Sequence, residues 1–165
     1  MLDKTKPAAA LVEDWLDRFE SALSNANGNE LAKLFHAESY WRDVLALSWT
    51  FTTVNGRDAI VAALAPLASR HVPHDIRLAP GRTAPRIVTR AGTQCLEAIF
   101  EFETAEGRGS GVLRLRADYE DHNALKAWTL LTALDELKGF EERDVRALST
   151  STATARNFHQ PNWLD

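Results

Sequence analysis

The spacing of apolar residues changes once along this chain, from about 3.6 residues to two, and that change limits its fold more than any other feature. Beyond Pro73, Leu96, Ala98, Phe100 and Phe102 alternate with Glu97, Ile99, Glu101 and Glu103, which describes a long strand with one firmly buried face. Upstream, Leu11, Trp15, Phe19 and Leu23 recur every fourth residue over residues 8–24, and Val12 and Leu16 widen the stripe into an amphipathic helix. Thr5 suits the cap of that helix, and Pro7 is tolerated in its first turn because its missing N–H would have no partner there. Asn25 to Gly28 breaks it. Asn29 opens a short second helix with Leu31, Leu34 and Phe35, and His36 ends it. A third helix opens near Arg57-Asp58 and buries Ile60, Val61, Leu64 and Leu67; Pro66 should kink or end it. Strands follow over residues 74–79, 96–103, 110–117 and 124–136, with an irregular connection at Pro80-Gly81 and Pro85. Three helices followed by long antiparallel strands indicate an α+β domain whose curved sheet wraps around the helices.

The chain has 165 residues and a net charge of -4. One domain of this size buries roughly 70% of its extended-chain surface. Both signs of charge are mixed, and neither a basic stripe nor an RNA-type aromatic-basic motif occurs, so nucleic acid is not an expected partner. Cys95 is the single cysteine, which rules out an intramolecular disulfide and suits a reducing compartment. Its neighbours do not activate the thiol. No run approaches the ~20 apolar residues of a membrane span, and the expectation is a cytoplasmic protein. From Lys138 the periodicity fails, and Ser149 to Thr154 is polar and of low complexity. The division is therefore a domain over residues 1–137 and an extended tail or linker over 138–165.

Residues 34–60 carry the chemistry worth weighing. A strand there puts Trp41, Asp43 and Leu45 on one face and Tyr40, Arg42 and Val44 on the other. A carboxylate on a buried face needs a partner or a function. Asp43 is either an acid/base in an apolar pocket, its proton affinity raised by desolvation, or a structural carboxylate paired with Arg42 or Arg57. His74, beside Asp75 at a turn, is a second candidate base or else a surface histidine. No His-x-His or Glu-x-x-His spacing supports a metal site. Gly107-Arg108-Gly109-Ser110-Gly111 lacks the lysine and the following helix of a phosphate loop, and close backbone approach in a hairpin explains its glycines better. No cofactor is expected in this chain. Trp41, Trp49, Phe51, Phe100, Phe102 and Trp128 are either core or the lining of a pocket for a small apolar organic ligand. Glu97, Glu101 and Glu103 form a solvated or paired outer face, and the partly apolar remainder of that face predicts a homodimer through the sheet.

Tyr40-Trp41-Arg42-Asp43 followed by Asn55-Gly56-Arg57-Asp58-Ala59-Ile60 resembles the cone-shaped superfamily of nuclear transport factor 2, ketosteroid isomerase, scytalone dehydratase and the SnoaL polyketide cyclases. With Phe102-Glu103-Thr104, Gly107-Arg108-Gly109, Lys126 to Thr132 and Asn162-Trp163, the chain more specifically resembles the domain that precedes the flavin domain in flavin-containing monooxygenase-like proteins. The resemblance implies a nuclear transport factor 2-like cone associated with flavin monooxygenase-type metabolism. FAD and NADPH would enter only through a separate flavin domain or protein. It also implies two alternatives: a cofactor-free isomerase, cyclase or dehydratase using Asp43, and a non-catalytic dimerisation module. In the ketosteroid isomerase pattern the general base corresponds to Asp43, but the oxyanion-donating tyrosine has no match, since Tyr119 lies in a loop and Tyr40 faces away.

Overall fold

The computed structural model describes residues 7–118 and 124–141. Thr5, Tyr119, the Ser/Thr-rich run and Asn162-Trp163 lie outside them. The first helix, α1 (Ala8–Ser24), buries the expected stripe, and the Trp15 indole donates to the Leu34 carbonyl at 3.1 Å. A short α2 (Gly28–Lys33) starts at Asn27, whose side chain accepts the Glu30 N–H, the usual service of an N-cap asparagine. The long α3 (Arg57–His71) faces the core with Ile60, Leu64 and Ala68. Pro66 neither ends nor interrupts α3, a correction to the expectation above.

Among the described residues, seven strands form one sheet: β1 (Phe35–Val44), β2 (Phe51–Asn55), β3 (His74–Leu78), β4 (Arg86–Arg90), β5 (Thr93–Glu103), β6 (Gly107–Ala117) and β7 (Leu125–Leu137). Their order is β2-β1-β7-β6-β5-β3. β3 and β4 share one edge of β5, pairing with its second and first halves respectively. All pairings are antiparallel except β1 with β7, which is parallel. The helices cover one face, and a single core fills the space between: Trp15, Phe19, Phe35, Trp41, Phe100, Leu113 and their neighbours.

Three further expectations need correcting. His36 lies in β1 rather than closing a helix, with Nε2 3.4 Å from the Arg116 carbonyl; burial lowers its pKa, so it favours the neutral ring. β4 runs through the region read as irregular, because it buries only part of Val88 and so leaves no periodic signal. The apolar run after Asp43 is two strands, not one, reversing through residues 45–50.

The glycines of β6 are used for packing. A Cβ on Gly109 would sit 2.5 Å from both the Ala133 carbonyl oxygen and the Phe102 ring, and one on Gly111 would overlap the Leu131 carbonyl oxygen and the Phe100 ring. These glycines let the two phenylalanines lie flat against the sheet, so backbone cradling of a phosphate is not their role. Cys95 is buried, and burial raises its pKa, which describes an unreactive thiol.

Candidate functional site

The most concentrated polar chemistry inside the cone lies where β1 ends. Asp43 is fully buried on the helix-facing side, level with Thr132 in the neighbouring β7. Four donors serve its carboxylate. The Leu47 N–H reaches both oxygens at 3.2 and 3.1 Å, the Ser48 N–H lies at 2.7 Å and the Ser48 hydroxyl at 2.6 Å. The Thr132 hydroxyl donates at 2.5 Å and itself accepts from the Trp41 indole at 3.0 Å. The expected arginine partners are elsewhere: Arg42 donates to Thr53 and Arg57 to Asp58. Neutral donors therefore satisfy this buried carboxylate, a role that backbone amides and hydroxyls can fill.

The segment that holds Asp43 also contributes to the core. The segment 45–50 turns back through two left-handed non-glycine residues, Leu45 (φ 63°) and Trp49 (φ 57°). Such conformations cost energy unless the surroundings enforce them, and the hydrogen bonds to Asp43 supply that enforcement. The fold of this segment drives Ala46 and Leu47 into the core. A pocket base needs a free oxygen within reach of its substrate; Asp43 has both oxygens engaged and no solvent exposure. Its geometry is that of a carboxylate organising the loop that follows β1.

The structure does not bring the six expected pocket aromatics together. Trp41, Phe100 and Phe102 are core residues. Trp49 is 42% and Phe51 70% exposed, on the reversing loop and the edge strand that follow β1. Trp128 is half-buried under the Arg116 guanidinium, 5.2 Å from its ring centroid. His74 also has no catalytic setting: its Nδ1 lies 2.8 Å from the Val72 carbonyl, which ties the ring to its own turn rather than to Asp75. Reading the sequence missed Ser48 and Thr132 as partners of Asp43. It also missed the contact between the buried His71 Nδ1 and Glu106, 3.1 Å long.

The other face of the sheet carries the accessible features. Ile99, Val112, Leu131 and Arg42 stand in register across β5, β6, β7 and β1. A groove of about 300 Å³ opens beside this row, lined by Tyr40, Arg42, Val112, Arg114, Thr129 and Leu131. Toward the opposite end of the strands lies a charged depression of about 340 Å³, around Arg77, Glu101, Glu103, Arg108 and Asp135. Between β4 and β6, Glu97 takes two hydrogen bonds from Arg90 (2.9 and 2.7 Å) and one from Arg114 (2.8 Å). Hydrogen bonding to Arg90, followed by that to Arg114, holds its pKa at about 2 against burial.

This lowered pKa sets a sign for acid stability. The Glu97 contribution is complete above about pH 4.5 and is lost as pH falls toward about 2. Glu97→Gln is therefore expected to lower stability at pH 7 by on the order of 1 kcal/mol, allowing for solvent screening. The gap from wild type should close below pH 3. Thermal melts across that range would check it, and a gap that stayed constant with pH would refute it.

No protein-family model matches the chain, and no curated protein matches it. Solved structures do. A nuclear transport factor 2-like superfamily protein from Salmonella enterica aligns with a TM-score of 0.53 at 10% identity, over 83% of this chain and 97% of its own. A domain of unknown function with a cystatin-like fold from Nostoc punctiforme aligns at 0.52 and 15%, over 88% and 85%. A nuclear transport factor 2-like protein from Novosphingobium aromaticivorans, also described as cystatin-like, aligns at 0.51 and 13%, over 76% and 80%. Likeness at this level of identity speaks for architecture alone: the chain has the nuclear transport factor 2-like α+β fold.

Proposed function

We propose that this chain is a non-catalytic association domain serving flavin monooxygenase-type metabolism, and that its working surface is the outer face of the sheet. One observation carries the reading: the Asp43 carboxylate is committed to holding the 45–50 loop, whose Ala46 and Leu47 pack into the core. The residues behind the monooxygenase-domain resemblance support it, because those described here have structural roles. Trp41, Asp43 and Thr132 form one hydrogen-bonded chain; Thr104 turns β5 into β6 by accepting the Gly107 N–H; Gly109 accommodates Phe102. They preserve an architecture rather than a reacting centre. The glycines that would have to cradle a pyrophosphate pack against phenylalanine rings, so the residues present do not fit FAD or NADPH. On this reading those cofactors belong to a separate flavin domain or protein. A small apolar ligand would be accommodated in the groove between Tyr40 and Leu131 rather than inside the cone.

Three observations test the proposal together. Purified chain should be colourless after gel filtration with added FAD, and light scattering at tens of micromolar should give the mass of a homodimer. The coding DNA on either side should hold a flavin-binding reading frame. Flavin that stays with the chain, or a strictly monomeric mass with no such frame nearby, would refute it.

A further inference from the structure

The strand registers set six side chains of the outer sheet face in two rows. Arg114, Thr129 and Tyr40 stand level across β6, β7 and β1, and Val112, Leu131 and Arg42 form the next row. Together they line the groove of about 300 Å³ beside Tyr40, a volume at the small end of ligand pockets. Its floor is aliphatic where Val112 meets Leu131, and the half-exposed Tyr40 ring stands at one side. Its charge is positive. Arg114 is engaged by Glu97, which also pairs with Arg90 and, at 3.9 Å, with Arg86. Arg42 has no such partner. Among the described residues it meets no carboxylate within ion-pair distance, and it donates only through Nη1, to the Thr53 hydroxyl at 3.3 Å. Four arginines and one carboxylate therefore share this part of the face, a surplus of three positive charges in a chain whose net charge is -4. The charges in the neighbouring rows are paired, Glu101 with Arg77 and Asp118 with Lys126.

We propose that this groove is a binding site for a small aromatic carboxylate. The inference rests on the reading of the outer face as the working surface, and it names the ligand class of the groove on that face. The ring lies on Val112 and Leu131 beside Tyr40, and the carboxylate takes the Arg42 guanidinium. Thr53 engages one donor of a five-donor fork, which leaves an edge for the two parallel hydrogen bonds that a carboxylate accepts. The positive surplus around the groove offsets the dehydration of the anion, and contact with the aliphatic floor supplies the rest of the affinity. A phosphate fits worse, because Val112 and Leu131 offer no donors to its remaining oxygens. A neutral aromatic uses the floor and forgoes the charge-assisted bonds, so it binds more weakly.

Benzoate is the probe, with benzamide as its uncharged counterpart and acetate as the charge without a ring. Titrated into isotope-labelled chain, benzoate should shift the amide resonances of Arg42, Val112 and Leu131 saturably in the millimolar range. Benzamide should bind about 10-fold more weakly, and acetate should not saturate. Arg42→Gln, folded by circular dichroism, should weaken benzoate about 10-fold, to the level of benzamide. Arg18→Gln, on α1 at the helix side of the sheet, should leave benzoate binding unchanged. Equal affinity for benzoate and benzamide, undiminished benzoate binding by Arg42→Gln, or no saturable shifts around the groove would overturn the inference. Light scattering on the same samples reads association separately. A homodimer whose groove ignores benzoate overturns this site alone, and a monomer that binds it overturns the association reading alone.

Discussion

Gly111→Ala is expected to cost about 3 kcal/mol or more, and Gly111→Val to leave no cooperatively folding protein. At this position the new Cβ would overlap the Leu131 carbonyl oxygen of the adjacent strand as well as the Phe100 ring. A ring can rotate away from a clash, but a carbonyl that is part of the sheet cannot, so relief requires β6 and β7 to separate. Among the described residues those strands share the longest ladder, from Gly107↔Leu137 to Ala117↔Leu125. Overpacking in a core ordinarily costs 1–3 kcal/mol, and backbone displacement places this case at or above that range. Adding Phe100→Leu should recover only the part due to the ring. Urea denaturation of the single and double variants would measure both parts. A Gly111→Ala protein as stable as wild type would mean that the strands are not packed as described.

The limits of sequence reading here have physical causes. The stripe Leu11, Trp15, Phe19, Leu23 and the alternation from Leu96 to Phe102 declared α1 and β5, because each element buries one face over many residues and leaves a long periodic record. The facing of β1 was equally legible: Trp41 and Asp43 are buried, while Tyr40 and Arg42 are exposed. β4 was not, since five residues on a sheet edge bury almost nothing. Pro66 was misread because the cost of an interior proline can be outweighed by tertiary packing, here of Ile60, Leu64 and Ala68 around it. The partners of Asp43 were hidden for a different reason. Alternation announced that Asp43 needed partners, but Thr132 is 89 positions away and reaches it only through the parallel pairing of β1 with β7, a register that no local pattern encodes. The placement of the aromatics was hidden because aromatic content does not reveal which rings enter the core and which stay at the surface.

Asp43→Ala is the second change with a large expected effect. It removes the acceptor for the Leu47 and Ser48 amides and for two hydroxyls. The hydroxyls can rotate toward other acceptors, whereas the amides are fixed in the turn, and each buried donor left unsatisfied costs about 1–3 kcal/mol. The left-handed conformations at Leu45 and Trp49 lose their restraint at the same time. A loss of about 3–5 kcal/mol follows, a fall in melting temperature on the order of 10 °C. Asp43→Asn keeps one acceptor oxygen and should lose about half as much.

The central claim is that Asp43 holds the 45–50 loop against the core, and amide hydrogen exchange at Leu47 and Ser48 tests it most directly. In the wild type both amides should be protected nearly as well as the β1–β7 ladder, because their hydrogen bonds end on a buried carboxylate. In Asp43→Ala, at a temperature where the protein remains folded, both should exchange at least about 100-fold faster, while the Trp41 amide in the ladder slows or quickens only with global stability. Unchanged protection of Leu47 and Ser48 in a variant that melts like the wild type would contradict the account.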